Sequence, residues 1–149
     1  MRDDPGLLLG WLGRSALWGG DAAAVERSAA RIAAMGVHLP AVQLRRRSLS
    51  AGLAGLHGDA AEAVAGYRQV LDGWGRLGHT YEEAFTALDM ASVLGPDLAD
   101  VQRAAERARE IFGRMGARPF LERLEGLMSR VPGETDRRPT GIPATRASG

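Results

Sequence analysis

Between Ala60 and Leu77 the apolar residues Ala60, Ala63, Tyr67, Val70, Trp74 and Leu77 recur at steps of three and four. An α-helix turns every 3.6 residues, so this rhythm lays all six on one stripe. The same rhythm returns further along at Leu98, Val101, Ala105, Ala108, Phe112 and Met115, and the shift from Ala60 to Leu98 sets a period of 38. A weaker copy stands one period before the first, at Ala22, Val25, Ala29 and Ile32. Each copy follows a turn signal on the same count: Gly20-Asp21, Gly58-Asp59 and Pro96-Asp97. The pattern predicts an array of helix pairs in which no pair buries its stripe alone and stacking completes the core.

Punctuation along the chain divides it into about seven helices. The first covers residues 6 to 18, opened by Pro5 and ended by Gly19-Gly20. Asp21 is placed to cap a second helix, which runs to Met35 and closes at Gly36. Pro40 opens a third helix, to about residue 56, with Val42, Leu49, Leu53 and Leu56 on one face. Its small residues Ala51, Gly52, Ala54 and Gly55 predict close approach of a neighbour. Asp59 caps the fourth helix, in which Tyr67 and Trp74 are the large inward rings. Thr80-x-x-Glu83 reads as a capping box opening a fifth, with Tyr81, Ala84, Phe85, Leu88 and Ala91 inward. Asp97 caps a sixth, with Phe112 inward, and Pro119 opens a seventh. The connections are short, so successive helices are expected to be antiparallel neighbours. Residues 1–130 are thus one helical-repeat domain. From Val131 onward Pro, Gly, Thr, Ser and Arg dominate, which predicts a disordered tail over 131–149.

Composition narrows the function classes. Net charge is +1, so no overall field draws the chain to nucleic acid. Without cysteine there are no disulfides or thiolate metal sites. The apolar run Leu7 to Leu12 is far shorter than the roughly 20 residues of a membrane span. Asp3 and Asp4 sit where a signal peptide would be basic, and Arg14 follows the run. A soluble, cytoplasmic protein without a membrane partner is expected.

The second repeat resembles a tetratricopeptide repeat. The resemblance rests on the Gly58-Asp59 turn between two helices, small Ala63 and the Tyr67 ring one turn later. It implies an all-α, short right-handed helical-repeat solenoid. The period of 38, Gly78 and Gly116 where that family commonly has proline, and Arg47 near a usual apolar position depart from the pattern. Two longer strings, Leu77-Gly78-His79-Thr80-Tyr81-Glu82-Glu83-Ala84 and residues 109–123, resemble the C-terminal repeat arm of large bacterial signalling proteins. In those proteins a nucleotide-cyclase or DNA-binding domain accompanies a regulatory ATPase module. The resemblance implies a repeat arm without that family's catalytic or ATP-binding motifs.

Candidate chemistry is sparse. His38, His57 and His79 are the only imidazoles, stand far apart along the chain and form no paired-His metal motif. A lysine-bearing phosphate loop cannot exist in a chain without lysine. Glu82 and Glu83 are adjacent, so they diverge around the helix and read as first-turn carboxylates offsetting its dipole. No catalytic, cofactor-binding or metal-ligating residue is assigned, and no cofactor is expected. Arg45-Arg46-Arg47 is the strongest charge run; it reads first as a solvated helix face. Arg45 and Arg46 are the candidates for partner contact. Trp11 and Trp18 are expected to be covered by the second helix; an uncapped first repeat would also promote self-association. The expected function is a non-catalytic module that binds another protein or a domain of its own parent.

Overall fold

A computed structural model describes residues 5–130, and among these it contains seven α-helices and no strand. They are α1 (Pro5–Trp18), α2 (Ala22–Ala34), α3 (Pro40–Leu56), α4 (Ala60–Leu77), α5 (Thr80–Leu94), α6 (Ala99–Met115) and α7 (Arg118–Met128). The segment 131–149, expected to be a disordered tail, lies outside the described residues. No described helix is long and apolar enough to cross a membrane.

Local chemistry sets the helix ends. Asp21 accepts from the Ala24 N–H at 3.0 Å, and Asp59 from the Glu62 N–H at 3.1 Å. Each satisfies a donor that the first turn leaves free. The N–H of Asp59 is already bonded to the Ala54 carbonyl, at 2.9 Å. That N–H therefore needs no bond from the Glu62 side chain. The Asp21 N–H bonds the Ala16 carbonyl in the same way, also at 2.9 Å, so this closure recurs at the period of the sequence. The far ends of α4 and α6 match as well: the His79 N–H bonds the Trp74 carbonyl and that of Ala117 the Phe112 carbonyl, both at 3.0 Å. Gly78 and Gly116 make those closures in the left-handed region, at φ +70° and +67°.

Two expected caps are corrected. Asp97 does not cap α6: the cap position is Leu98, and no side chain bonds the first turn there. Gln102 instead donates to the Pro96 carbonyl at 3.2 Å. Thr80 lies inside α5, whose cap residue is His79, without a side-chain cap. The Glu83 carboxylate turns outward to Arg107 (3.3 Å), so the expected capping box is not made.

The odd-numbered helices touch in succession, α1 on α3, α3 on α5 and α5 on α7. The even-numbered helices each touch the odd helices before and after them, and α1 also reaches α5 directly. This surrounds α5, and every residue from Ala84 to Ala91 is buried, including Thr86 and Asp89. A helix covered on all sides needs no polar face in that stretch. Tyr81, expected to point inward, is 59% exposed because it precedes the enclosed turns.

Tyr67, Trp74 and Phe112 are buried, as are Val70, Val101 and Ala105 on the same stripes. The stripe ends Leu77, Leu98 and Met115, at or just outside the helix termini, are exposed. Close approach occurs where α3 is small. A Cβ on Gly52 would lie 2.5 Å from Leu17 Cδ1 and 2.9 Å from Tyr67 Oη, and one on Gly55 would lie 2.2 Å from Val93 Cγ1.

Candidate functional site

The densest polar chemistry is inside the fold, where α1 crosses onto α5. Arg14 is buried, and its Nε–H is 3.0 Å from both Asp89 carboxylate oxygens. Trp18 donates its indole N–H to Asp89 Oδ1 at 2.7 Å. Two residues one turn apart on α1 therefore hold one carboxylate of α5. A buried charge is tolerated only when paired and hydrogen-bonded, and this arrangement supplies both.

Glu82, two turns earlier on α5, stands between two guanidiniums. Its oxygens are 3.6 Å from Arg14 Nη2 and 3.9 Å from Arg45 Nη2. Aromatic faces line the other sides of the cations. The Arg14 guanidinium lies 4.9 Å from the Trp11 ring centre and 5.3 Å from that of Phe85; Arg45 lies 6.0 Å from Trp74. A desolvated cation over a ring gains from the ring's quadrupole. The Trp11 and Phe85 rings meet edge to face, 4.9 Å apart, and Arg123 of α7 sits 4.4 Å from the Trp18 ring. Trp11 and Trp18 are half-buried: Trp11 packs on Phe85 of α5, and Trp18 meets Asp89 of α5 and Arg123 of α7 as well as the expected core of the α1–α2 pair.

Burial dominates the electrostatics. It pushes the Asp89 carboxyl up to about 6, with Glu82 adding to the rise, against the pull of Arg14 and the Trp18 N–H. For Arg14 burial acts downward, but Asp89 and Glu82 together hold the guanidinium above its usual range. Tyr67 lies close by, its hydroxyl buried and without a hydrogen-bond partner among the described residues. Burial and then the Asp89 charge push its phenol well above the usual value.

The cleft beside this cluster, lined by Trp11, Arg14, Arg45, Ser48, Trp74 and Glu82, holds about 20 Å³. That is room for about one water molecule. Pockets for organic ligands run to ~300–1,000 Å³. The cluster is therefore a staple between helices and not a substrate pocket.

Of the predicted contact residues, Arg45 is not a solvated side chain. It is 12% exposed and engaged with Glu82 and Trp74. Arg46 and Arg47 are exposed. His38, His57 and His79 are exposed on separate connections. Among the described residues no group of three or more His, Asp or Glu is placed to share a metal ion. Sequence reasoning passed over Arg14, Trp18 and Asp89 as a set. The available signal was one charge inside each of two otherwise apolar stretches, Leu7–Trp18 and Ala84–Ala91.

Two larger clefts open at the surface. One, of about 600 Å³, lies between the start of α5 and the end of α6, beside His79, Tyr81 and Arg114. The other, of about 380 Å³, lies between α3 and α4, beside Pro40, Leu44, Arg47, Arg76 and Leu77. No family model, curated protein or solved structure matches this chain.

Proposed function

We propose that this chain is a non-catalytic protein-binding module, built as a short tetratricopeptide-like solenoid of helix pairs. The observation that carries the reading is the recurrence of one cap bond at a fixed interval. Ala16 and Ala54 accept from Asp21 and Asp59, and Trp74 and Phe112 accept from His79 and Ala117. Within each set the two bonds are separated by the same period as the apolar stripes. Equivalent closures at equal spacing are what repeated units sharing one core require. The layering supports it too, with odd helices in mutual contact and even helices alongside. Such a scaffold presents preformed clefts between helices, so binding orders few groups.

A second reading, a separated regulatory arm of a bacterial signalling protein, is favoured by α1. Leu8 and Leu12 are 64% and 50% exposed on one face, one turn apart. A neighbouring domain of a parent protein would cover that face.

The test is affinity capture with the purified chain, followed by titration of each captured protein, itself purified, in a calorimeter. The expected result is a saturable complex of fixed stoichiometry. Turnover of a small-molecule substrate that vanishes on His79→Ala would overturn the reading. An in-frame ATPase or cyclase in the natural gene would favour the arm over the free module.

A further inference from the structure

Among the described residues, five of the nine arginines after α3 are held in ion pairs. Arg68 and Arg103 pair with Asp100 at 2.8 Å. Arg107 pairs with Glu83 and Glu110, Arg114 with Glu110, and Arg109 with Glu125. Helix α3 is different: it carries three arginines and no acid. Arg47 of α3 and Arg76 of α4 make no ion pair among the described residues and are exposed, yet both line the 380 Å³ cleft.

The floor of that cleft is apolar. Leu44 lies against the backbone of α4 at Gly73, where a Cβ would come within 2.5 Å of Leu44 Cδ2. Pro40 and Leu77 form its sides, and Leu77 is 40% exposed. Leu39, the α3 cap residue next to Pro40, is 64% exposed. That cap makes no side-chain hydrogen bond, and the first turn of α3 holds no acid to offset the positive end of its dipole. Asp72 is the one acid of the lining, and Gln69 completes it.

We propose that this cleft docks a short acidic segment of a partner protein, one large apolar side chain seated over Leu44 and Leu77 and flanking carboxylates on Arg47 and Arg76. The inference rests on the binding-module reading and names its site and the chemistry of its partner. Guanidiniums pair with carboxylates in a two-pronged geometry, and an apolar centre inside a charged rim is the usual anatomy of a protein contact. A nucleic acid fits less well, because no aromatic ring lines the cleft to stack a base.

The experiment uses the full chain, ¹⁵N-labelled, and a synthetic peptide Asp-Glu-Leu-Glu-Asp, with Asp-Glu-Ser-Glu-Asp and a ten-nucleotide single strand as comparisons. The leucine peptide is expected to shift the Leu44, Gly73 and Leu77 amides and to outbind the serine peptide. R47E/R76E should weaken it tenfold or more. The matched charge change R118E/R130E, on exposed arginines elsewhere, should leave it unchanged, with equal thermal melts for both variants. Equal weakening by both variants, tighter binding of the oligonucleotide, or no binding at millimolar peptide would overturn the proposal. Shifts confined to another surface would overturn this site while leaving the binding-module reading intact.

Discussion

Arg14 and Asp89 are 75 residues apart in sequence and share a hydrogen bond at 3.0 Å in the interior. The bond fastens α1 across the stack to α5, past the intervening α3. Its donor carries the only charge between Pro5 and Trp18, and its acceptor the only charge between Ala84 and Leu94. Each is costly alone, so each defines where the other must be.

Breaking this pair is expected to cost far more than deleting it. Asp89→Ala leaves the buried guanidinium only the longer contact to Glu82, at 3.6 Å, and should destabilise by ~3–5 kcal/mol in urea unfolding. The double variant Arg14→Met/Asp89→Leu should recover most of that loss. A double variant as unstable as the sum of its parts would show that the two residues do not act together.

The pH dependence follows from the raised Asp89 value. A carboxyl lifted from 3.8 to about 6 binds its proton more tightly in the folded chain. Its contribution to stability is complete below pH ~4 and is lost as pH rises through ~6, by up to ~3 kcal/mol. Asp89→Asn cannot titrate there. The stability of the wild type minus that of Asp89→Asn should therefore fall between pH 4 and pH 6; a difference that grows with pH would contradict the burial argument.

Two buried rings should respond oppositely to loss of a polar atom. Trp74 donates its indole N–H to Thr86 Oγ1 at 3.0 Å, whereas the Tyr67 hydroxyl has no hydrogen-bond partner among the described residues. Tyr67→Phe should be neutral or stabilise by ~1 kcal/mol, because it removes an unsatisfied group. Trp74→Phe should cost at least ~1 kcal/mol, and Trp74→Ala ~3–5 kcal/mol. Thermal melts of the three variants check the ordering.

Three aspartates of one sequence pattern should separate. Asp21→Ala and Asp59→Ala each remove a cap bond and should cost ~1 kcal/mol. Asp97→Ala removes none and should fall within ~0.5 kcal/mol of wild type. Equal losses at all three, measured by chemical denaturation, would return Asp97 to the capping position.

Glycines in helices should split by neighbourhood. Gly75 and Gly113 would place a Cβ in open space, so alanine there should stabilise by ~0.5–1 kcal/mol through helix propensity. Gly52→Ala drives a methyl into Leu17 and Tyr67 and should cost ~1–3 kcal/mol. Stabilisation at all three would mean that α3 and its neighbours are looser than their contacts indicate.

Local rules made much of this legible in advance. The apolar stripes, the glycines closing α4 and α6 and the aspartate caps of α2 and α4 all depend on neighbours within one or two turns. The misread starts of α5 and α6 show where such rules compete. Thr80-x-x-Glu83 has the letters of a capping box, but Arg107, 24 residues on, takes the Glu83 carboxylate. Pro96-Asp97 has the letters of a turn and cap, but the helix starts after Leu98.

By itself the sequence determined the helical class of the described residues, where most helices begin and end, and which face of α4 and α6 is buried. Periodicity records those properties, because they follow from backbone geometry and burial of one stripe. Only the tertiary structure decided that α5 is enclosed from Ala84 to Ala91, that Arg14 and Asp89 are partners, and that Arg45 is drawn inward to Glu82 while Arg47 and Arg76 stay exposed at a surface cleft. A charge carries no label of its distant counterpart. The pairing emerges when helices far apart in sequence are brought into contact and water is removed between them.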